Sequence, residues 1–234
     1  MKIIISPSKT MKYTPVSFIT QEAIFKDKTQ YLHSILKQYN DEDLAQIMKI
    51  SSKQSQTIYD YYHNEHNSHP AIALYQGHVF KQLELNKYCN HHDYLDKHLC
   101  IMSAYYGILH YNTLIKPYRL DMTMKMNNIN LYDYWYTPIY QYFENEDYII
   151  SLASKEFTSM IRHPHIYFID FVEIKENKIK RQSMSVKKAR GTMLNLMILN
   201  EITSLDDLKT LNADGYVYNE QMSQDYNIVF VKES

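Results

Sequence analysis

Two short apolar runs, each followed by small polar residues, constrain the fold of this chain more than any other feature. The run Lys2–Ile5 is rich in β-branched residues and stops at Ser6-Pro7, which predicts a buried first strand. A second continuous apolar run, Tyr148–Ala153, is followed by a predicted loop that begins with Ser154. With helical segments between and around these strands, the 234 residues predict a single α/β domain that spans the whole chain.

The other elements follow from hydrophobic spacing and turn residues. Asp41 and Ser51 or Ser52 are the candidate N-caps of two early helices. An alternating run that meets a second one across Glu176-Asn177 predicts a hairpin. The predicted helices are Thr29–Tyr39, Asp41–Ile50, Ser52–His63, Val79–Asn86, Leu131–Asn145 and Val186–Asn200, and the predicted later strands are Ala71–Gln76, Tyr148–Ala153, Ile166–Ile174, Lys178–Arg181, Tyr216–Tyr218 and Ile228–Lys232.

Charge is nearly balanced over the whole chain but is distributed unevenly along it. The formal net charge is −1 and the sequence pI is about 6.8, so the molecule as a whole lacks the basic character of a nucleic-acid-binding domain. Residues 151–191 contain nine Lys and Arg against four Asp and Glu, a local +5. Residues 201–234 contain two against seven, a local −5. Binding to phosphate must therefore use a local patch.

The stretch Ser103–Asp121 has the features of a functional loop. It follows the apolar run Leu99–Met102, which indicates the end of a strand or a buried helix. It turns at Gly107, one of only four glycines, and its last residues follow Pro117, where proline fixes the backbone. The stretch is crowded with tyrosine, but the chain has 23 tyrosines, and the codon bias of an AT-rich genome explains that number more simply than an aromatic binding surface does.

Two interpretations of this stretch remain open. In the first, the tyrosine side chains pack the loop against the core and Arg119 pairs with Asp121 at the surface. In the second, Tyr106 and Gly107 belong to a helix-hairpin-helix-like element, whose turn presents backbone N–H groups to a phosphate as a helix N-terminus does.

Polar side chains directly follow the first predicted strand. Ser6, Lys9 and Thr10 lie in the loop after Ile5, and the carboxyl end of a central strand is where α/β proteins bind ligands. Hydroxyl groups with one lysine suit a phosphate or a carboxylate, and a capped turn is the alternative. A Walker loop is excluded because the segment contains no glycine.

Glu156, in the loop after the second strand, also has two interpretations. It caps the next helix, or its carboxylate faces the Ser6–Lys9 loop and steers or pairs with Arg119. In the second case Lys9, Glu156 and Arg119 could serve as acid, base and phosphate clamp of an enzyme that acts on a nucleotide or nucleobase.

Three cations cluster at the predicted start of the helix Val186–Asn200. Lys187 and Arg190 are three residues apart and share a face, and Lys188 lies between them. The helix dipole disfavours cations at a helix N-terminus, so this placement indicates an anion that docks there. A solvated, charged turn is the alternative.

Cysteine and histidine usage favours neither a cofactor nor a metal site. Cys89 and Cys100 lack the spacing of a zinc site or a disulfide framework. The run His63, His66 and His69 would share one face only in a helix, whereas its Asn, Ser and Pro neighbours favour a loop. The apolar run at the N-terminus is too short for a signal peptide, and no run reaches the roughly 20 apolar residues of a membrane helix.

Five motifs occur here in the order that they take in the YaaA family of the bacterial peroxide-stress response, which this chain resembles from Met1 to about Lys232. The motifs are Ser6-Pro7-Ser8-Lys9-Thr10, Ser103 to Gly107, Pro117-Tyr118-Arg119-Leu120-Asp121, Leu152-Ala153-Ser154 with Glu156, and Lys187-Lys188-Ala189-Arg190-Gly191. The resemblance implies a cytoplasmic, DNA-binding protein whose mixed β-sheet is flanked by helices and whose fold contains a helix-hairpin-helix element. It also implies a role in keeping unincorporated iron low under peroxide.

The chain departs from the family pattern in the hairpin. Ala104 stands where the first hairpin glycine is expected, and His110-Tyr111 replaces an Arg-Pro pair. Alanine tolerates the left-handed region poorly, so the predicted hairpin is degenerate.

These observations together predict a basic cleft that binds the phosphate backbone of double-stranded DNA with little sequence specificity and without a cofactor. Its predicted contacts are Ser6, Lys9, Thr10, Tyr106, Gly107, Arg119, Lys187, Lys188 and Arg190. The alternatives are the nucleotide enzyme described above and direct retention of iron by His63, His66 and His69.

Overall fold

The computed structural model describes residues 1–126, 129–176 and 178–233. Its strands are β1 (Lys2–Ile5), β2 (His69–Pro70), β3 (Leu99–Ser103), β4 (Gly107–Leu109), β5 (Leu114–Ile115), β6 (Ile149–Ser151), β7 (Ile166–Lys175), β8 (Lys178–Lys180), β9 (Val217–Tyr218) and β10 (Asn227–Glu233). Its α-helices are α1 (Lys26–Leu36), α2 (Asp41–Met48), α3 (Ser52–His63), α4 (Ala71–Leu74), α5 (His92–His98), α6 (Leu131–Phe143), α7 (Lys155–Thr158), α8 (Ser183–Leu199) and α9 (Leu205–Lys209). Two 3₁₀ segments, Phe80–Gln82 and Leu85–Asn90, lie between α4 and α5.

One mixed sheet organises the fold, in the order β4-β3-β1-β6-β7-β10-β9, with β8 paired to β7. The five inner strands, from β3 to β10, run parallel to their neighbours, and β4, β8 and β9 are antiparallel additions. The predicted α/β class with a mixed sheet and flanking helices is therefore confirmed.

The centre of the sheet is formed by β1, which pairs with β3 on one side and β6 on the other. Ile3, Ile4 and Ile5 are fully buried because helices cover both faces of a parallel sheet. The continuous apolar run that predicted this strand thus reflects burial on both faces.

The helix pair α2 and α3 is joined by only three residues, 49–51. Lys49 ends α2 in the left-handed conformation, and Ser51 caps α3 by accepting a hydrogen bond from the Gln54 amide, as predicted. The N-cap of α2 is Asn40, one residue before the predicted Asp41. None of the helices in the described ranges is both long and apolar enough to cross a membrane.

The predicted strand Ala71–Gln76 is wrong: the chain forms the short helix α4 there. His69 and Pro70 pair as a strand with β5, and Tyr75 forms an isolated bridge with Met11. The amides of Ala71 and Ile72 then donate to the carbonyls of Thr113 and Tyr111, and the chain turns into a helix whose four residues are all buried. A short apolar run is buried equally well as a helix or a strand, so periodicity could not separate the two.

The predicted helix-hairpin-helix-like element at Ser103–Thr113 is not found; the stretch begins as a β-hairpin. Antiparallel pairing joins β3 to β4, with Ser103 opposite Gly107. Leu99–Ser103 is fully buried beside β1, so the apolar run before the turn is a strand and not a helix. The predicted hairpin Ile166–Ile174 with Lys178–Arg181 is confirmed as β7 and β8, while Asn177 of its predicted turn lies outside the described residues.

The start of α8 also differs from its prediction. The helix begins at Ser183, three residues earlier than predicted, so Lys187 lies in the second turn and Arg190 in the third. The helix dipole acts mainly on the first turn, and the conflict between these cations and a helix N-terminus therefore disappears.

Replacement of Gly107 by Ala tests the packing of the β3–β4 turn. Gly107 has φ +77°, and a Cβ there would lie 2.6 Å from Trp135 Cζ3. Left-handed strain and overpacking together predict a loss of about 3 kcal/mol in the free energy of unfolding, measured by urea denaturation. The matched control is Gly215→Ala, at φ +87° with only a flexible lysine 3.3 Å away, which is expected to lose about 1 kcal/mol. Equal losses in the two variants would contradict the packing role.

Candidate functional site

A crevice forms where the strand order of the sheet reverses. After β1 the chain adds β3 and β4 on one side of it and β6, β7 and β10 on the other. The loops that leave the carboxyl ends of β1 and β6 therefore diverge, and such switch points are where α/β proteins bind ligands. The two loops are joined across the crevice because the Ser154 amide donates to Ser6 Oγ at 2.8 Å. Ser6 thus positions the loops.

Residues from two of the five motifs meet at the mouth of this crevice, beside Phe157 of α7. A small cavity of about 40 Å³ is lined by Pro7, Ser8, Lys9, Tyr118, Arg119, Leu120, Asp121 and Phe157. Lys9 Nζ pairs with Asp121 Oδ2 at 2.6 Å, although the sequence had suggested Arg119 as the partner of that carboxylate. The side chain of Lys9 is 59% exposed, so its charge remains accessible at the surface.

Arg119 carries an unsatisfied donor. Its Nε is buried and has no hydrogen-bond partner among the described residues. Its backbone, in contrast, is fixed: its amide donates to the Tyr62 hydroxyl at 3.1 Å, and that hydroxyl donates back to the Arg119 carbonyl. An unpaired buried donor of a charged group is costly, and an anion that enters the crevice would remove the cost.

A cluster of buried tyrosines supports the Arg119 loop. The Tyr118 hydroxyl lies 2.6 Å from the Tyr75 hydroxyl and 2.7 Å from Ser103 Oγ, and the Tyr105 ring stacks on Tyr118. Burial raises the pKa of Tyr118 to about 12, so its hydroxyl stays neutral and can both donate and accept. The sequence indicated tyrosines that wedge this loop, but it did not identify Tyr62 and Tyr75 as their partners.

Tyr106 and Gly107 are placed in the core rather than in the crevice. The amides of Tyr105 and Tyr106 both donate to Ser103 Oγ, and the Tyr106 hydroxyl accepts from the Lys116 amide. The amides of Tyr105 and Tyr106 are therefore already satisfied by the protein itself.

Thr10 and Glu156 both make hydrogen bonds that hold the loops of the crevice in place. The Thr10 amide donates to Ser8 Oγ at 3.1 Å, which forms the capped turn that was one alternative for this loop. Glu156 lies in the first turn of α7, and its Oε1 accepts from the Met122 amide at 3.0 Å. No ion pair between Glu156 and Arg119 occurs within the described ranges. Glu156 therefore ties the segment after β6 to the end of the Arg119 loop.

The cations of α8 do not share the small crevice. Lys187 and Lys188 are exposed, and neither has an ion pair in the described part of the chain. Arg190 lines a different cavity, together with Lys155 and Asp170. Its Nε is also buried without a described partner, and burial lowers its pKa while Asp170 acts in the opposite direction.

The histidines of the proposed iron site have separate partners. His63 lies between the carbonyls of Tyr59 and Lys37, His66 contacts Asp60, and His69 stacks on Tyr13. Within the described ranges, no three His, Cys, Asp or Glu side chains are grouped so that they could hold a metal ion. Cys89 and Cys100 are both free thiols.

The fold and the crevice define the class of this protein: an α/β protein with a mixed sheet, at whose switch point Arg119 has a buried Nε without a partner among the described residues. The family described as peroxide stress protein YaaA matches residues 1–222, and the chain belongs to this family.

Curated relatives align over the full length of the chain. A UPF0246 protein of Rickettsia felis is 35% identical, with 100% of both chains covered, and one of Fusobacterium nucleatum is 34% identical with the same coverage. A UPF0246 protein of Crocosphaera subtropica is 33% identical over 99% of this chain and 100% of its own.

Tyr62→Phe tests whether the tyrosine hydroxyl holds the Arg119 loop. The change leaves the amide and carbonyl of Arg119 without their partner, and the expected loss in the free energy of unfolding is about 2 kcal/mol. Urea denaturation measures the loss, and hydrogen exchange of the Arg119 amide should accelerate. Tyr59→Phe, on the partly exposed face of the same helix, is the control and should change stability by less than about 0.5 kcal/mol. Unchanged exchange at Arg119 would contradict the role of Tyr62.

Proposed function

We propose that this member of the peroxide stress family acts by binding double-stranded DNA through its phosphate backbone, with little sequence specificity. The observation that carries the proposal is the Arg119 guanidinium. Its Nε is buried at the switch-point crevice and has no partner in the part of the chain that the structure describes, while its backbone is fixed by Tyr62. A phosphate oxygen is the natural acceptor for such a donor, because arginine forms strong charge-assisted bonds with phosphate.

The charge around the crevice supports a weak, salt-sensitive contact. Lys9 is exposed but is partly neutralised by Asp121, and Thr10 offers a hydroxyl beside it. Lys187 and Lys188 are exposed on α8 and add positive charge elsewhere on the surface. Contacts of this kind position a duplex and read no bases, since only base edges in the grooves carry sequence information.

The proposal includes the cytoplasm as the place of action, because that is where bacterial chromosomal DNA lies. It also includes a contribution to keeping free iron low during peroxide exposure. Ferrous iron reduces hydrogen peroxide to hydroxyl radical, which damages DNA, so binding DNA and limiting iron would protect the same target.

Arg119→Gln provides the direct test of the DNA contact. Removal of one phosphate contact should weaken binding of a short duplex about tenfold, or ~1.4 kcal/mol. The slope of log K against log salt should become shallower by about 0.9, since one phosphate is no longer neutralised. Fluorescence anisotropy at several salt concentrations measures both quantities.

The control for that test removes an arginine outside the crevice. Arg162 is exposed in the loop after α7 and does not line the cavity, so Arg162→Gln should leave the salt slope nearly unchanged. Asp121→Asn should act in the opposite direction and tighten DNA binding severalfold, because it frees the charge of Lys9. A salt-independent affinity of the unmodified protein would exclude the proposal.

A second candidate is an enzyme that acts on a nucleotide or nucleobase. It is favoured by the position of Lys9 and Arg119 at the switch point of a parallel sheet, with Glu156 attached to the same loop. Lys9 or Glu156 would transfer the proton and Arg119 would clamp the phosphate.

Glu156→Gln separates the two functions. The amide oxygen of Gln can still accept the hydrogen bond from Met122, so the loop should keep its structure. A DNA-binding protein should bind the duplex as well as before or slightly better, because a negative charge is removed. An enzyme should lose turnover of its nucleotide while it still binds it. Anisotropy for DNA and chromatography of incubated nucleotides distinguish these results.

A further inference from the structure

A second cavity, of about 560 Å³, is lined by α7 residues, as is the Arg119 crevice. Its lining combines Ser151 and Lys155 from β6 and α7, Phe168 and Asp170 from β7, Arg190 from α8 and Asn227 from β10. The volume falls within the range of small-molecule sites in proteins. Nothing in the proposed DNA contact uses this cavity.

A gap in the sheet creates the cavity. The strand β6 ends at Ser151, which is opposite Phe168, while β7 continues to Lys175. On that edge, β8 pairs with β7 only from Glu173 onward. Between these points the Phe171 amide donates to the side chain of Asp170, at 3.0 Å. The open edge of β7 therefore forms one wall of the cavity.

Arg190, from α8, adds a cation to the lining of the cavity. Its Nε is buried without a hydrogen-bond partner among the described residues. Asp170, the acidic residue of the lining, already pairs with Arg181. Its Oδ2 lies 3.0 Å from Arg181 Nε and 2.9 Å from Arg181 Nη2. Lys155, which is exposed, adds a second positive charge at the rim. The cavity thus has an excess of positive charge and a donor that lacks an acceptor.

The remaining lining suits a flat, largely apolar group. Phe168 is 44% exposed, an unusual position for a large aromatic ring in an inner strand, and Ala153, Ile161 and Ile166 surround the same space. Rings stack favourably on an exposed aromatic face. Ser159 and Asn227 add polar groups at the edge, where they can bond to hydroxyl or ring nitrogen atoms.

We infer that this cavity is a binding site for a small molecule that combines one phosphate group with a flat ring, for which a nucleoside monophosphate is the simplest chemistry. The phosphate binds Arg190 and Lys155, and the ring packs on Phe168. The site is independent of the DNA contact at Arg119, so either one can exist without the other.

Arg190→Met tests the site and keeps the shape of the side chain. Isothermal titration calorimetry with AMP, adenosine and inorganic phosphate is the measurement. The intact protein should bind AMP at least tenfold more tightly than adenosine or phosphate, because both halves of the site are then filled. Arg190→Met should weaken AMP at least tenfold and leave adenosine nearly unchanged. Phe168→Leu should weaken AMP and adenosine but not phosphate.

Two further measurements keep the test decisive. Because Arg190 Nε is buried without a partner among the described residues, the Tm of Arg190→Met should equal or exceed that of the parent protein. If this variant does not fold, Lys155→Gln replaces it, with a smaller expected loss of AMP affinity. Arg162→Met, the same change at an exposed position that does not line the cavity, should bind AMP normally.

The outcomes that overturn the inference are equally definite. Binding of AMP no tighter than that of phosphate alone would exclude a site for the ring. Unchanged AMP affinity in Arg190→Met would exclude the guanidinium as the phosphate ligand. If Arg190→Met lowers the affinity for a short DNA duplex as much as it lowers the affinity for AMP, Arg190 belongs to the DNA-binding surface and the cavity is not a separate site.

Discussion

The hydrogen bonds between buried tyrosine hydroxyls and the loop 117–121 are the interactions on which the crevice depends. Tyr62 satisfies both backbone groups of Arg119, and Tyr118 is held between Tyr75 and Ser103. A phenolic hydroxyl both donates and accepts, and burial keeps it neutral, so one tyrosine can satisfy an amide and a carbonyl together. The loop is therefore fixed by its backbone, and the guanidinium of Arg119 is left without a described partner.

Among the described residues, Arg119 and Arg190 each have a buried Nε without a partner, and each lines a cavity next to α7. Arg119 lies at the crevice beside β1, and Arg190 lines the cavity beside β7. Folding leaves both donors unsatisfied at a cost in stability, which proteins commonly tolerate where a ligand satisfies the group. In both places the carboxylate of the same cavity, Asp121 or Asp170, pairs with another cation.

Sequence reasoning identified the strands that are formed by continuous apolar runs. The runs that became β1, β6 and β10 are continuous and apolar, so their period and length indicated strands. The prediction of a strand at Ala71–Gln76 failed because a four-residue apolar helix and a short apolar strand have the same sequence pattern. The helix Ala71–Leu74 is held by hydrogen bonds from its first amides to the carbonyls of Tyr111 and Thr113, which are distant in sequence. The motif residues around Lys9 and Arg119 were recognised, but the pairing of Lys9 with Asp121 depends on residues 112 positions apart.

By itself, the sequence determined the α/β class and the family to which the chain belongs, because local burial patterns and ordered motifs are present along the chain. The tertiary structure alone decided which charges are neutralised and which remain free. Lys9 and Asp121, Asp170 and Arg181, and Glu156 and the Met122 amide find each other only when the strands are assembled. Charge pairing depends on distance in space and on burial, and neither is encoded by spacing along the sequence.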